Sequence, residues 1–211
     1  MFDASVILVL APHTDDGELG CGGSIAKFIA QGKQVHYTAF STCAKSLSSD
    51  QPGDTLAKEC KKATALLGIP AANLRLMDFE VRIFPSLRQQ LLEEMVSLNQ
   101  QIKPDLVLMP CSYDVHQDHA TIHTEANRAF KSSSILGFEL PWNQTKSALN
   151  YFIQLNEEQV AKKIAALKAY TSQSHRLYMK EEFTRSLALV RGVQAGASYA
   201  EAFEVCRIIH K

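Results

Sequence analysis

The 211-residue chain is 46% apolar and balances 22 Lys and Arg against 22 Asp and Glu. No long-range field therefore draws it to nucleic acid or an anionic membrane, and a small-molecule partner is expected. Its length lets about 70% of the unfolded chain's surface be buried without staples, while Cys21, Cys43, Cys60, Cys111 and Cys206, odd in number and without C-x-x-C spacing, argue against a disulfide framework or a cysteine zinc knuckle.

The opening "MFDASVILVLAPH" has no basic n-region, and its apolar run is about half the ~18 residues of a membrane span, which predicts a cytoplasmic protein. Apolar runs suited to buried strands alternate with segments of helical period, the pattern of an α/β fold with a mostly parallel sheet and helices on both faces. Val6–Ala11 reads as the first strand and Gly22–Ala30 as the helix after it, with Val35–Phe40 as the second strand. The polar stretch Ser41–Asp54 then reads as a mobile lip over the sheet's C-terminal edge. Asp54 is placed to cap a helix over Thr55–Leu67, and Leu74–Met77 follows as a strand. Ser86 with Gln89 forms a capping-box signature before Leu87, Leu91, Met95, Leu98 and Ile102, a core-facing stripe. Leu106–Met109 is the next strand, and Asp118 is read as the cap of a helix running to Phe130. Beyond it lie strands Ile135–Phe138 and Tyr151–Leu155, then a helix opened by Asn156 and Gln159 with Val160, Ile164 and Leu167 inward. Lys180–Val190 reads as helix, residues 191–203 as a returning loop, and Glu204–Ile209 as the last strand.

Two polar clusters leave strand ends: "HTDDGE" at 13–18 and "PCSYDVHQDHATIH" at 110–123. In an open parallel sheet, ligands bind beyond the C-terminal strand ends where the winding reverses, so these clusters would share one crevice if their strands were neighbours. Gly20, Gly22 and Gly23 superficially suit a phosphate-binding helix start, but the spacing is not G-x-G-x-x-G, and Asp15, Asp16 and Glu18 would repel phosphate with no nearby Lys or Arg. Metal fits better. Asp15 and Asp16 are adjacent on a tight turn and point apart, so only one joins His13 as a ligand. His119 and His123 share a helix face at i,i+4 spacing, and imidazoles with a carboxylate suit zinc or ferrous iron better than magnesium. His36, His175 and His210 have no acidic cluster and read as ordinary hydrogen-bonding residues. Arg82 and Arg88 could hold an anionic substrate group, and Glu139 with Trp142 could wall a sugar site. Cys111 with His116 offers a thiol-hydrolase alternative, and a nucleotide-binding protein without hydrolytic activity is the alternative of a different class.

"APHTDDGELGCGG" together with "HQDH" resembles the PIG-L (LmbE-like) deacetylase family, and "ALKAYTSQ" and "RGVQAGASYAEAF" resemble its closing segments. The resemblance implies one domain over 1–211 with a Rossmann-like fold. It also implies hydrolysis of N-acetyl groups on amino sugars and their conjugates with a divalent metal, usually zinc, with Fe2+ or another transition ion as the variant. Residue by residue it makes His13, Asp16 and His119 the ligands, Asp15 the general base, and His116, supported by Asp118, the acid or electrophile. Asp118 is then expected to keep His116 charged. Thr14 stands where the family has proline, and Asp114 stands about where some members carry tyrosine. Arg82, Asp114 and Glu139 are the candidate substrate contacts. An N-acetylated small molecule is the expected partner, and a homo-oligomeric state stays open.

Overall fold

The computed structural model describes residues 4–47 and 51–210, so the centre of the 41–54 loop, residues 48–50, lies outside the described residues. In chain order the elements are β1 (Val6–His13), α1 (Asp16–Ala30), β2 (Gln34–Ser41), α2 (Thr55–Leu67), β3 (Leu74–Leu76), α3 (Arg88–Ile102), β4 (Leu106–Pro110), α4 (Gln117–Ala129), β5 (Ser134–Phe138), β6 (Tyr151–Leu155), α5 (Glu157–Lys168), α6 (Glu181–Gln194) and β7 (Tyr199–Arg207). Both halves of the chain build one seven-stranded sheet in the order β3-β2-β1-β4-β5-β7-β6. β7 runs antiparallel to both of its neighbours, β5 and β6. The winding reverses between β1 and β4, which are in parallel register with Ile7 opposite Leu106 and Val9 opposite Leu108. The two polar clusters therefore leave adjacent strands into one crevice.

The strand pleat sorts the core into two layers. Ile7, Val9, Leu106 and Leu108 face Ile25, Leu56 and Val160 of α1, α2 and α5, while Leu8, Leu10, Val107 and Met109 face Leu91, Met95, Ile122 and Ala126 of α3 and α4. Among the described residues no helix is long and apolar enough to cross a membrane.

Helix α1 departs most from the sequence reading. It begins at Asp16 rather than Gly22 and breaks at Cys21 (φ −146°, ψ 22°), because a buried ion pair is stitched into it. Lys163 of α5 donates from Nζ to the Leu19 carbonyl at 2.7 Å and to Glu201 of β7 at 2.7 Å. Glu201 in turn accepts from the backbone N–H groups of Gly23 (2.9 Å) and Ser24 (2.7 Å) and from the Ser24 hydroxyl (2.6 Å). The lysine thus serves the carbonyl end of the first half-helix and the glutamate the amide end of the second, the charges that the two helix dipoles favour. Gly20 is required by close approach, since a Cβ there would stand 2.2 Å from the Phe138 ring.

Three capping expectations are corrected. Asp54 makes no side-chain cap and pairs with Lys58 at 2.8 Å. A short 3-10 turn over Phe84–Leu87 precedes α3, Leu87 takes the N-cap position, and Gln89 donates to Glu93 instead of closing a box. Asp118 lies inside α4, whose N-cap is His116. The box formed by Asn156 and Gln159 is present. Residues 191–203 are not a loop: α6 runs to Gln194 and β7 starts at Tyr199. The small residues Ala200 and Ala202, both buried, hid the alternation of a strand.

Glu201→Ala strands the Lys163 ammonium in the interior, a change of the kind that costs about 3–5 kcal/mol. Urea unfolding of that variant should show the loss, and a change below about 1 kcal/mol would mean that the ion pair does not hold the helix break together.

Candidate metal centre

His13 ends β1 and Asp16 opens α1, so the turn between them, Thr14–Asp15, spans strand end to helix start. Asp16 Oδ2 accepts from the His13 backbone N–H at 2.8 Å, which closes the turn and aims both side chains into the crevice. His119 comes from the first turn of α4. Three of their atoms form a nearly equilateral triangle: His13 Nδ1, Asp16 Oδ2 and His119 Nε2 stand 3.2 Å apart on each edge. Ligand bonds of about 2.0–2.1 Å in tetrahedral zinc put neighbouring ligand atoms about 3.3–3.4 Å apart, so the triangle fits one face of such a site. His116 Nδ1 or Nε2 also lies within 4.8 Å of the other two imidazoles, but the three-atom triangle is the tighter set.

The nitrogens facing away from the triangle are also engaged. His13 Nε2 meets Asp118 Oδ2 at 3.0 Å and His119 Nδ1 meets Asp114 Oδ2 at 2.7 Å. Each carboxylate takes the N–H of its imidazole, which turns the other nitrogen's lone pair toward the triangle, the arrangement that orients metal-ligating histidines. Burial opposes charge on both rings, yet Asp16 and the hydrogen-bonded carboxylates outweigh it, raising His13 to about 9 and His119 to about 10. Burial also opposes charge on Asp16, but His119 and His13 hold it well below the usual carboxylate range. The donor set is built around positive charge, which is what a divalent cation brings.

Asp15 behaves differently from its neighbour. Burial, then the charge of Asp16, pushes its carboxyl up to about 6, leaving it ionised at neutral pH but a stronger base than an ordinary aspartate. The turn that carries it is clamped from below: the hydroxyls of Tyr37 and Tyr170 lie within hydrogen-bond reach of both the Thr14 carbonyl and the Glu18 carboxyl. Each phenol has one proton for two acceptors, and burial, acting against the tyrosine bonds, pushes Glu18 up to about 8, so a protonated Glu18 supplies one of the two missing donors. Gly17 must lack a side chain here, because a Cβ would stand 2.5 Å from the Tyr37 ring.

His13, Asp15, Asp16, His116, His119 and Arg82 line one cleft of about 280 Å³, small for a ligand site. Asp118 does not support His116 as expected. Its carboxylate goes to His13, and its backbone N–H donates to His116 Nδ1 at 3.2 Å. Burial, followed by His119 and His13, lowers the His116 pKa, so its ring is a neutral Nε2–H donor rather than an imidazolium. Asp114 is no substrate contact either, being buried against His119 and the His116 N–H. Glu139 lies outside the cleft, with both carboxylate oxygens on Arg191 at 2.8 and 2.7 Å. His123 is turned to the Pro110 carbonyl and Asn127. The thiol alternative loses its nucleophile, since burial pushes Cys111 up to about 12 and its sulfur accepts from Gln144. The nucleotide alternative finds the mouth of α1 filled by its own carboxylates. Sequence reasoning missed Gln173, Arg176 and Tyr178, which bring the segment after α5 into the cleft wall; the "AYTSQ" stretch was the one signal that this segment mattered.

Fold and site together define a doubly wound α/β protein with a two-histidine, one-carboxylate cluster at its switch point. A family model described as PIG-L, GlcNAc-PI de-N-acetylase, matches residues 8–130, and the chain belongs to this family. Diacetylchitobiose deacetylase of Thermococcus kodakarensis is 26% identical to it over 94% of this chain and 82% of its own length. The inhibitor-bound N,N'-diacetylchitobiose deacetylase of Pyrococcus horikoshii superimposes with a TM-score of 0.78 at 21% identity, covering 96% of this chain and 84% of that one. GalB, the 4-carboxy-2-hydroxymuconate hydratase of Pseudomonas putida KT2440, gives 0.78 at 22% identity, covering 98% and 99%. At such identities the two structures show a shared fold.

Asp118→Asn weakens the hold on His13 without touching a ligand, and should lower metal affinity about 10–100-fold. Metal retained against increasing chelator measures this, and wild-type retention would remove Asp118 from the support of His13.

Proposed function

We propose that the chain is a zinc-dependent N-deacetylase of amino-sugar conjugates. His13, Asp16 and His119 hold the metal, Asp15 is the general base, and His116 is the donor that steadies the oxyanion. The observation that carries this reading is the 3.2 Å triangle with a second carboxylate, Asp15, lining the cleft beside it. Family membership and the diacetylchitobiose deacetylase relative support the same chemistry. A borderline-soft ion such as zinc suits this donor set, and when bound it polarises a carbonyl and acidifies water.

The protein's own groups do the rest. Asp15 takes a proton from the attacking water as its oxygen bonds to the acetamide carbon. The carbonyl oxygen gains charge, and the His116 Nε2–H, its tautomer set because Nδ1 already accepts from Asp118 N–H, is the donor available to it. Asp15 then returns its proton to the departing nitrogen, the C–N bond breaks, and acetate and a free amine leave.

Acetate release from N-acetylglucosamine and diacetylchitobiose by the zinc-reconstituted protein tests the reading, and silence on a full panel of N-acetylated sugars and glycosides would refute it. The adjacent carboxylates should fail differently. Asp16→Asn should lose metal and regain some activity with excess zinc. Asp15→Asn should keep its metal while kcat falls roughly 10²–10⁴-fold, with no rescue by zinc. Metal content and kcat of the two variants, measured with and without added zinc, would show base and ligand exchanged if the pattern is reversed. His116→Ala should keep its metal and lose about 10²–10³-fold in kcat; a normal kcat would make it a bystander.

A further inference from the structure

Glu59 is a buried carboxylate that the chemistry above does not use. It shares the buried side of α2 with Leu56, Cys60 and Ala63, and three neutral donors from two consecutive residues converge on it: the Thr171 hydroxyl at 2.8 Å, the Ser172 N–H at 2.9 Å and the Ser172 hydroxyl at 2.6 Å. Burying a charge is costly, and an apolar contact would join these segments at less cost. What the carboxylate adds is a fixed direction for the residues it grips. Those residues belong to a single 3-10 turn, Thr171–Gln173, that follows α5, and the backbone has already left helical angles at Tyr170 (φ −82°, ψ 67°), so the end of α5 does not aim that side chain alone. Tyr170 is buried, and its hydroxyl stands 2.5 Å from the Thr14 carbonyl, 156 residues away in the chain. The Tyr37 hydroxyl reaches the same carbonyl at 3.1 Å, the longer of the two contacts. The residue after Thr14 is Asp15. Hydrogen bonds and one short stretch of backbone thus connect α2 to the turn that carries the general base, through Glu59, Ser172, Thr171 and Tyr170, all outside the cleft lining.

We infer that Glu59 is a positioning residue for the reaction: it grips Thr171 and Ser172 so that the Tyr170 hydroxyl holds the Thr14 carbonyl, and through it the direction in which Asp15 leaves its turn. This rests on the deacetylase reading above. The metal triangle is braced separately, by the His13 N–H on Asp16 and by Asp118 and Asp114 behind the two imidazoles, so loosening Tyr170 moves the base without releasing a ligand. A general base acts only from a narrow range of distances and angles, and its step is the one that a shift of this turn slows.

Zinc-reconstituted Glu59→Ala protein, assayed on whichever of N-acetylglucosamine and diacetylchitobiose the wild type deacetylates, should keep its metal and lose about 10–100-fold in kcat, with a smaller change in KM. Glu59→Gln keeps an acceptor for the Ser172 N–H and sets an amide against the Ser172 hydroxyl, so it should recover most of that loss. Tyr170→Phe should reproduce the loss, and the double variant of Glu59→Ala with Tyr170→Phe should be little slower than the slower single one, because two members of one path are not additive. Ser172→Ala, which removes one donor and leaves the carboxylate in place, should give the same pattern at smaller size and stands in if Glu59→Ala does not fold. An unchanged kcat, or losses that multiply in the double variant, would overturn the inference. So would an effect confined to KM, which would assign Glu59 to the cleft wall through Gln173, whose side chain donates to the Ser172 hydroxyl at 3.1 Å. Amide exchange in the same proteins reads the path without turnover: residues 14–19 should exchange faster in Glu59→Ala and Tyr170→Phe, while residues 119–129 of α4 keep wild-type protection. Equal acceleration of both segments would show a purely structural role and end the inference. A wild type silent on both sugars would count against the deacetylase reading, and the exchange pattern would then decide the inference by itself.

Discussion

One buried charge organises the cleft. The carboxylate of Asp118 is wholly inaccessible, and a carboxylate taken out of water costs several kcal/mol unless donors converge on it. Three donors do: His13 Nε2 at 3.0 Å, the Arg82 N–H at 2.6 Å and the Phe84 N–H at 3.2 Å. The end of β1, the loop before α3 and the start of α4 are therefore tied to a single point. Meeting that requirement is why Arg82 accepts a left-handed backbone, and why the His13 ring cannot turn. The backbone amide of the same residue fixes His116, so one amino acid orients a metal-ligand candidate with its side chain and a hydrogen-bond donor with its main chain.

The neighbours Asp15 and Asp16 show how geometry divides identical chemistry. Asp16 sits between two imidazoles and is held in its charged form, whereas Asp15, one residue away, sees mainly burial and the charge of Asp16 and becomes more basic. The split depends on a turn whose direction is set from beneath by Tyr37, Glu18 and Tyr170, groups that touch no reacting atom. A hydratase shares the fold at the same TM-score as a deacetylase, so the fold by itself does not decide which chemistry occurs at its switch point.

Much of this was legible from residue patterns. The strands were readable because fully buried parallel strands are continuous apolar runs, and the two polar clusters stood out because charged residues directly after such runs have no packing role. What escaped was long-range. Nothing local marks Glu201, in "SYAEAF", as the cap of a half-helix at Gly23, nor Lys163 as its partner. Asp118 read as the support of His116 and Asp114 as a substrate contact, yet their side chains serve His13 and His119. Glycines at 17 and 20 fell outside the helix read from Gly22, since the neighbours that approach them closely, Tyr37 and Phe138, come from β2 and β5. The cleft wall around Arg176 lies more than 150 residues from the motif it faces, beyond the reach of any periodicity.

The break in α1 has a consequence for the order in which the molecule can be completed. The turn bearing Asp15 and Asp16 is made before the glutamate that splints its helix, which lies on β7, 178 residues beyond Gly23. Contacts separated by almost the whole chain form late and carry a large loop-closure cost. Only when β7 inserts between β5 and β6 does Glu201 reach Gly23 and Ser24. The brace across the break in α1 is therefore a property of the finished sheet, since it needs β7 in place.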